Sequence, residues 1–134
     1  MKTLTVPASR DQLDTVQGFV DEALAQVPCT LETQLQIQIA VEELFVNIAS
    51  YAYPSGGEAV IGCQVEREPA SITIQFRDWG KPFDPLAGED ADITLSAEER
   101  KIGGLGIYMV KTSMDETRYV YEGGQNILTI KKYL

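Results

Sequence analysis

Glu43 and Asn47 stand four residues apart in EELFVNIASYAY, residues 42–53, a segment that is otherwise largely apolar. On a helix this spacing puts a carboxylate and an amide on one face, about a turn apart. An amide oxygen is a hard ligand suited to Mg²⁺, which takes few protein ligands and keeps waters and phosphate oxygens. A carboxylate beside it can accept a proton from water or a hydroxyl. The bland alternative is a pair that faces solvent or caps a neighbouring loop, because E-x-x-x-N is a common pattern.

Two further stretches carry possible chemistry. In RDWGKPFDP, residues 77–85, Asp78 falls where a strand ends and a loop begins. A carboxylate held there can accept from an exocyclic amine such as that of adenine, and Gly80 allows backbone conformations that other residues resist. The same composition also makes a plain turn. In KIGGLGIYMV, residues 101–110, Gly103, Gly104 and Gly106 stand immediately before an apolar helix. The first N–H groups of a helix lack internal partners and carry partial positive charge, which suits phosphate. Lys101 and Arg100 are the cations close by. Loops before helices often contain glycine, and no Lys-Ser/Thr follows these ones, so the segment is not a P-loop.

The elements that must position these groups follow from periodicity. KTLTV, residues 2–6, alternates as a short strand that Pro7 ends. Ser9 or Asp11 can cap a helix over residues 12–27, whose apolar residues recur at helical spacing until Pro28. Thr30 can cap a second helix, in which Leu31, Leu35, Ile37, Ile39, Val41, Leu44, Val46 and Ile48 cover most of the circumference. A helix apolar on most sides is expected to lie buried between layers. A turn at Tyr53–Gly57 leads to two strands, 58–66 and 71–77, with Glu68-Pro69-Ala70 as their hairpin link. Residues 86–101 read as an acidic, weakly periodic, mobile segment with one short helix. A third helix runs from the glycines to about Ser113. Strands over 117–122 and 126–133 follow, joined by Gly123-Gly124. The order β-α-α-β-β-loop-α-β-β predicts an α+β fold. Its form is a two-layer α/β sandwich, with a mixed, mostly antiparallel sheet covered by helices on one face.

The totals bound the rest. A chain of 134 residues suits one domain, 1–134. No run approaches the roughly 18 apolar residues of a membrane span, and MKTLTVPASRDQLD lacks the apolar core of a signal peptide, so a cytoplasmic protein is expected. There is no histidine, which excludes a Cys/His zinc site, and Cys29 and Cys63 are expected as buried small hydrophobes. A net charge of −9 argues against direct nucleic-acid binding and against anionic membrane surfaces. A protein partner, or a small ligand whose charge is met locally, fits better.

Taken in order, the three stretches resemble the GHKL-type ATPase superfamily of DNA gyrase, heat-shock chaperones, histidine kinases and MutL. AVEELFVNIASYAYP is similar to its asparagine box, RDWGKPFDP to its D-x-G box and KIGGLGIYMVKTSMDE to its later glycine box. Within that superfamily the pattern resembles the bacterial anti-sigma factor serine/threonine kinases, over nearly the whole chain. The resemblance implies a histidine kinase-like ATPase fold that binds ATP and Mg²⁺. Asn47 would hold the metal against the phosphates, Glu43 would activate a substrate serine, and Asp78 would receive the adenine amine above a floor shaped by Gly80. Lys101, Gly103, Gly104 and Gly106 would contact the phosphates, under a lid over residues 86–102. The polar pair would line the pocket on the helix face turned away from the sheet. The implied partner is a small anti-sigma factor antagonist that accepts the phosphoryl group, with a sigma factor and a homodimer as further expectations.

Three departures qualify this. Pro82 stands where the D-x-G box usually has a second glycine, Tyr51 where a histidine often follows the asparagine box, and the first helix has no Lys or Arg. The last point keeps open a non-catalytic module that binds ATP and sequesters a partner. A self-contained histidine kinase needs a phosphoacceptor histidine, which this chain does not have.

Overall fold

The apolar–polar alternation builds five strands: β1 (Lys2–Pro7), β2 (Glu58–Arg67), β3 (Ala70–Asp78), β4 (Glu116–Glu122) and β5 (Gln125–Tyr133). Three helices accompany them: α1 (Leu13–Leu24), α2 (Leu31–Asn47) and α3 (Gly104–Ser113). The computed structural model describes residues 1–52, 57–87 and 104–134, the side chains of 51, 52, 104 and 105 excepted. The expected turn at Tyr53–Gly57, apart from Gly57, and nearly all of the acidic segment and lid lie outside the described residues. So do Arg100, Lys101 and Gly103 of the glycine stretch.

The sheet runs β1-β2-β3-β5-β4, and every pairing is antiparallel, where the sequence suggested only mostly so. The β4–β5 hairpin turns on Gly123 and Gly124 at φ of 61° and 77°. Two successive positive φ values match the right-handed twist of a hairpin and suit glycine.

Side chains alternate between faces along a strand. One face of β3 therefore carries Ile72, Ile74, Phe76 and Asp78, all buried, and β5 sets Ile130, Leu128 and Asn126 directly opposite Ile74, Phe76 and Asp78. These rows pack under Val16 and Val20 of α1, Ile37, Val41, Leu44 and Phe45 of α2, and Val110 of α3. Each such buried Ile, Leu or Phe contributes about 1.5–3 kcal/mol relative to exposure. The last rung of the apolar ladder, Asp78 opposite Asn126, is polar.

Two helix expectations need correcting. Thr30 does cap α2, its Oγ1 accepting from Thr33 N–H at 3.1 Å, but neither Ser9 nor Asp11 caps α1 through its side chain. A 3-10 turn (Arg10–Gln12) leads into that helix, and the Ser9 hydroxyl donates to the Asp11 carboxylate instead. Nor is α2 buried on all sides. Leu31, Leu35 and Ile39 are 71%, 48% and 40% exposed. One layer of helices covers the sheet, so among the described residues nothing packs above the outward ridge of α2. Cys63 is buried as expected, whereas Cys29 is only half-buried. Among the described residues no helix is long and apolar enough to cross a membrane.

Candidate functional site

The polar rung ends in a cavity between the sheet and the C-terminal end of α2. Leu44, Asn47 and Ile48 line it from the helix, Phe76, Asp78, Tyr119, Asn126 and Leu128 from the sheet, and Phe83 and Pro85 from the loop after β3. It holds about 360 Å³ of empty space, open solvent included. Its walls are mostly apolar, with a carboxylate, two amides and a phenol placed among them. That is the usual composition of a small-molecule site.

Helix α2 brings Asn47 here because the core phase of Ile37, Val41 and Leu44 sets its rotation. Beyond Asn47 the chain widens into a π turn, Ile48–Ala52, a distortion often found at functional sites. The Asn47 amide nitrogen donates to Glu43 O at 3.0 Å and reaches Glu43 Oε1 at 3.5 Å. The amide oxygen is thereby left as the atom able to meet a cation.

Glu43 does not line this cavity. Its carboxyl lies against Gly106, where a Cβ would overlap it. Burial pushes the Glu43 carboxyl above its ordinary value, the Asn47 hydrogen bond partly offsets this, and Glu42 adds to the rise. The expected placement of the pair away from the sheet is therefore corrected. Asn47 shares its cavity with sheet residues, and Glu43 looks toward the first turn of α3. One turn of helix separates the two side chains and rotates them apart by some 40°.

Asp78 is 4% exposed and belongs to a hydrogen-bonded cluster. Its Oδ1 accepts from Gly80 N–H at 3.0 Å and from Asn126 Nδ2 at 2.9 Å. A solvated turn would not bury its aspartate at the end of a core row, so the plain-turn reading of this segment does not account for it. Asn126 and Tyr119 were not among the expected site residues. A polar residue in the core phase of Asn126-Ile127-Leu128-Thr129-Ile130 is the signal that could have found the first of them.

The structure thus brings together Asp78, Gly80 and Asn47 at one cavity, with Glu43 and Gly106 paired beside it. Gly104 opens α3, and Lys101 and Gly103 lie outside the described residues. Among the described residues no group of three or more Cys, Asp or Glu gathers to hold a metal ion. A cation here would take one protein amide and draw its other ligands from phosphate and water, which suits Mg²⁺.

Comparison with known proteins agrees with this architecture. The chain is 27% identical over 135 residues to the serine-protein kinase RsbW of Halalkalibacterium halodurans, covering 98% of this chain and 82% of that one. It is 23% identical over 97 residues to the serine/threonine-protein kinase BtrW of Bordetella bronchiseptica, covering 72% and 68%. Among solved structures it is similar in fold to the RsbU and RsbW domains of a Mycobacterium tuberculosis protein, with a TM-score of 0.67 at 16% identity. That match covers all of this chain and 33% of the other. The histidine kinase domain of a blue-light activated histidine kinase from Erythrobacter litoralis matches at a TM-score of 0.56 and 16% identity, covering 96% and 62%. The family model for the histidine kinase-like ATPase domain matches residues 6–132, nearly the whole chain, and the chain belongs to that family.

Proposed function

We propose that this protein is an ATP- and Mg²⁺-dependent serine/threonine protein kinase. It acts in the cytosol as an anti-sigma regulatory factor, and its substrate is a serine on a small antagonist protein. The observation that carries this reading is the carboxylate retained beside the asparagine. The Asn47 amide donates to the Glu43 backbone carbonyl and reaches its carboxylate, and Asn47 itself lines the cavity that Asp78 also lines. The serine-protein kinases among its relatives support the reaction class.

In this reading the apolar walls Leu44, Ile48, Phe76 and Leu128 exclude water from the base. Asp78 accepts from the exocyclic amine, and the Gly80 N–H keeps its carboxylate in place. Asn47 Oδ1 would hold Mg²⁺, which would supply neutralisation of phosphate charge. The resemblance assigns phosphate contacts to Lys101, Gly103, Gly104 and Gly106, of which Gly104 and Gly106 stand in the first turn of α3. Glu43 accepts the proton of the attacking serine hydroxyl, and its raised pKa makes it a better base than a free carboxylate. Positioning and charge stabilisation carry most of phosphoryl transfer.

Incubation with radiolabelled ATP and the cognate antagonist should label a serine, and Glu43→Ala should abolish labelling while ADP still binds by calorimetry. Retained labelling in Glu43→Ala would remove the base from this account. A second reading, an ATP-binding module that sequesters its partner without phosphorylating it, draws on the absence of Lys and Arg from α1 and α2. A partner that stays bound and unlabelled in the presence of ATP would favour it.

A further inference from the structure

Asn126 has no part in the roles assigned above, yet it is the most completely bonded side chain at the cavity. It is 5% exposed and directly opposite Asp78 in the β3–β5 register. An asparagine amide offers two donors and two acceptor lone pairs. Here Nδ2 donates to Asp78 Oδ1 at 2.9 Å and to Lys81 O at 2.9 Å, with Gly80 O further off at 3.4 Å. Its Oδ1 accepts from Phe83 N–H at 3.0 Å and from the Tyr119 hydroxyl. The Phe83 N–H also reaches Tyr119 Oη at 3.2 Å.

A turn after β3 does not need this. The Gly80 N–H to Asp78 Oδ1 bond alone closes an Asx turn. Burying an amide costs free energy unless its bonds are met, and here they are met by a loop that begins with the nucleotide acceptor and ends in two cavity-lining residues. The amide holds one oxygen of Asp78, so a base entering the cavity meets the other. Rotation of the carboxylate would break both the Asn126 and the Gly80 bonds. The same amide holds Lys81 and Phe83, and so fixes where Phe83 and Pro85 stand as cavity wall.

Building on the nucleotide reading above, we infer that Asn126, steadied by the Tyr119 hydroxyl, is a positioning residue for base selection. It presents Asp78 Oδ2 as a fixed acceptor, which favours a purine with an exocyclic amine over one with an oxygen at that place.

The test is calorimetric titration of wild type, Asn126→Ala and Tyr119→Phe with ADP and with IDP, whose base carries oxygen where adenine carries the amine. Wild type should favour ADP. In Asn126→Ala, ADP affinity should fall about tenfold while IDP affinity stays within about twofold, because IDP does not use the Asp78 acceptor. Tyr119→Phe removes one hydroxyl and keeps the ring, so it tests the same point should Asn126→Ala not fold. A roughly threefold loss for ADP alone is expected. Equal losses for ADP and IDP would mean a structural role only, and ADP binding at wild-type strength in either variant would also overturn the inference. Wild type without ADP affinity would instead sink the nucleotide reading itself.

Discussion

The two ends of the site are built on opposite plans. At the Asp78 end, a buried carboxylate and a buried amide stand in direct register, a phenol reaches the amide from the diagonal position, and the loop after β3 supplies further bonds. At the Glu43 end, a carboxylate raised in pKa by burial rests on a glycine, with an amide partner at 3.5 Å. The first arrangement is rigid because Asp78, Asn126 and Tyr119 all stand on paired strands. The second depends on two helices staying close, and on the missing side chain at Gly106. In the proposed reading, preorganised recognition thus sits on the sheet and adjustable chemistry between α2 and α3.

The sharpest way to break this contrast is at the rigid end. Asp78→Asn keeps size but replaces a charged acceptor, and ADP affinity should fall roughly 10- to 100-fold by calorimetry. An unchanged affinity would mean that the rigid end does not read the base.

Gly106→Ala tests the adjustable end. The new Cβ overlaps the Glu43 carboxyl, and a flexible glutamate can swing aside while alanine improves helix propensity by up to about 1 kcal/mol. The melting temperature should hold or rise, ADP affinity should fall less than the transfer rate, and transfer should drop about tenfold. Loss of folding would instead show that the contact is structural.

The smallest effect concerns pH. A carboxyl whose folded pKa is raised binds its proton more tightly in the native state than in the unfolded one. Stability therefore falls as pH rises from the ordinary glutamate range through the raised value, and the cost persists above it. Glu43→Gln removes that cost. Its melting temperature should exceed wild type by a small margin at pH 8, and the two should converge below the ordinary glutamate range. A margin independent of pH would assign the difference to something other than the Glu43 charge.

Much of this was legible from local pattern. The Thr30 cap, the glycine hairpin and the strand phases are local, because each depends on residues within a few positions of one another. Asp78 stood out for a local reason too, through its place where a strand ends and a loop with Gly80 begins. Asn126 was placed at a strand start but missed as a site residue, since a single polar residue there carries no weight until its opposite number is known. Tyr119 could not be read at all. Its reach to Asn126 depends on the β4–β5 register, in which it stands opposite Leu128 and diagonal to Asn126. The exposed ridge of Leu31, Leu35 and Ile39 was misread because periodicity reports where apolar residues lie around a helix and not how many layers cover it.

Composition and order by themselves determined the element types, their succession and the family pattern, since these rest on side-chain period, caps and glycine placement along a contiguous chain. Only the tertiary structure decided that Glu43 turns toward α3 while Asn47 turns toward the sheet, and that Asn126 rather than the turn alone holds Asp78. Those outcomes rest on packing between segments distant in sequence, where a helix's rotation and a strand's register are set by the partner it buries against.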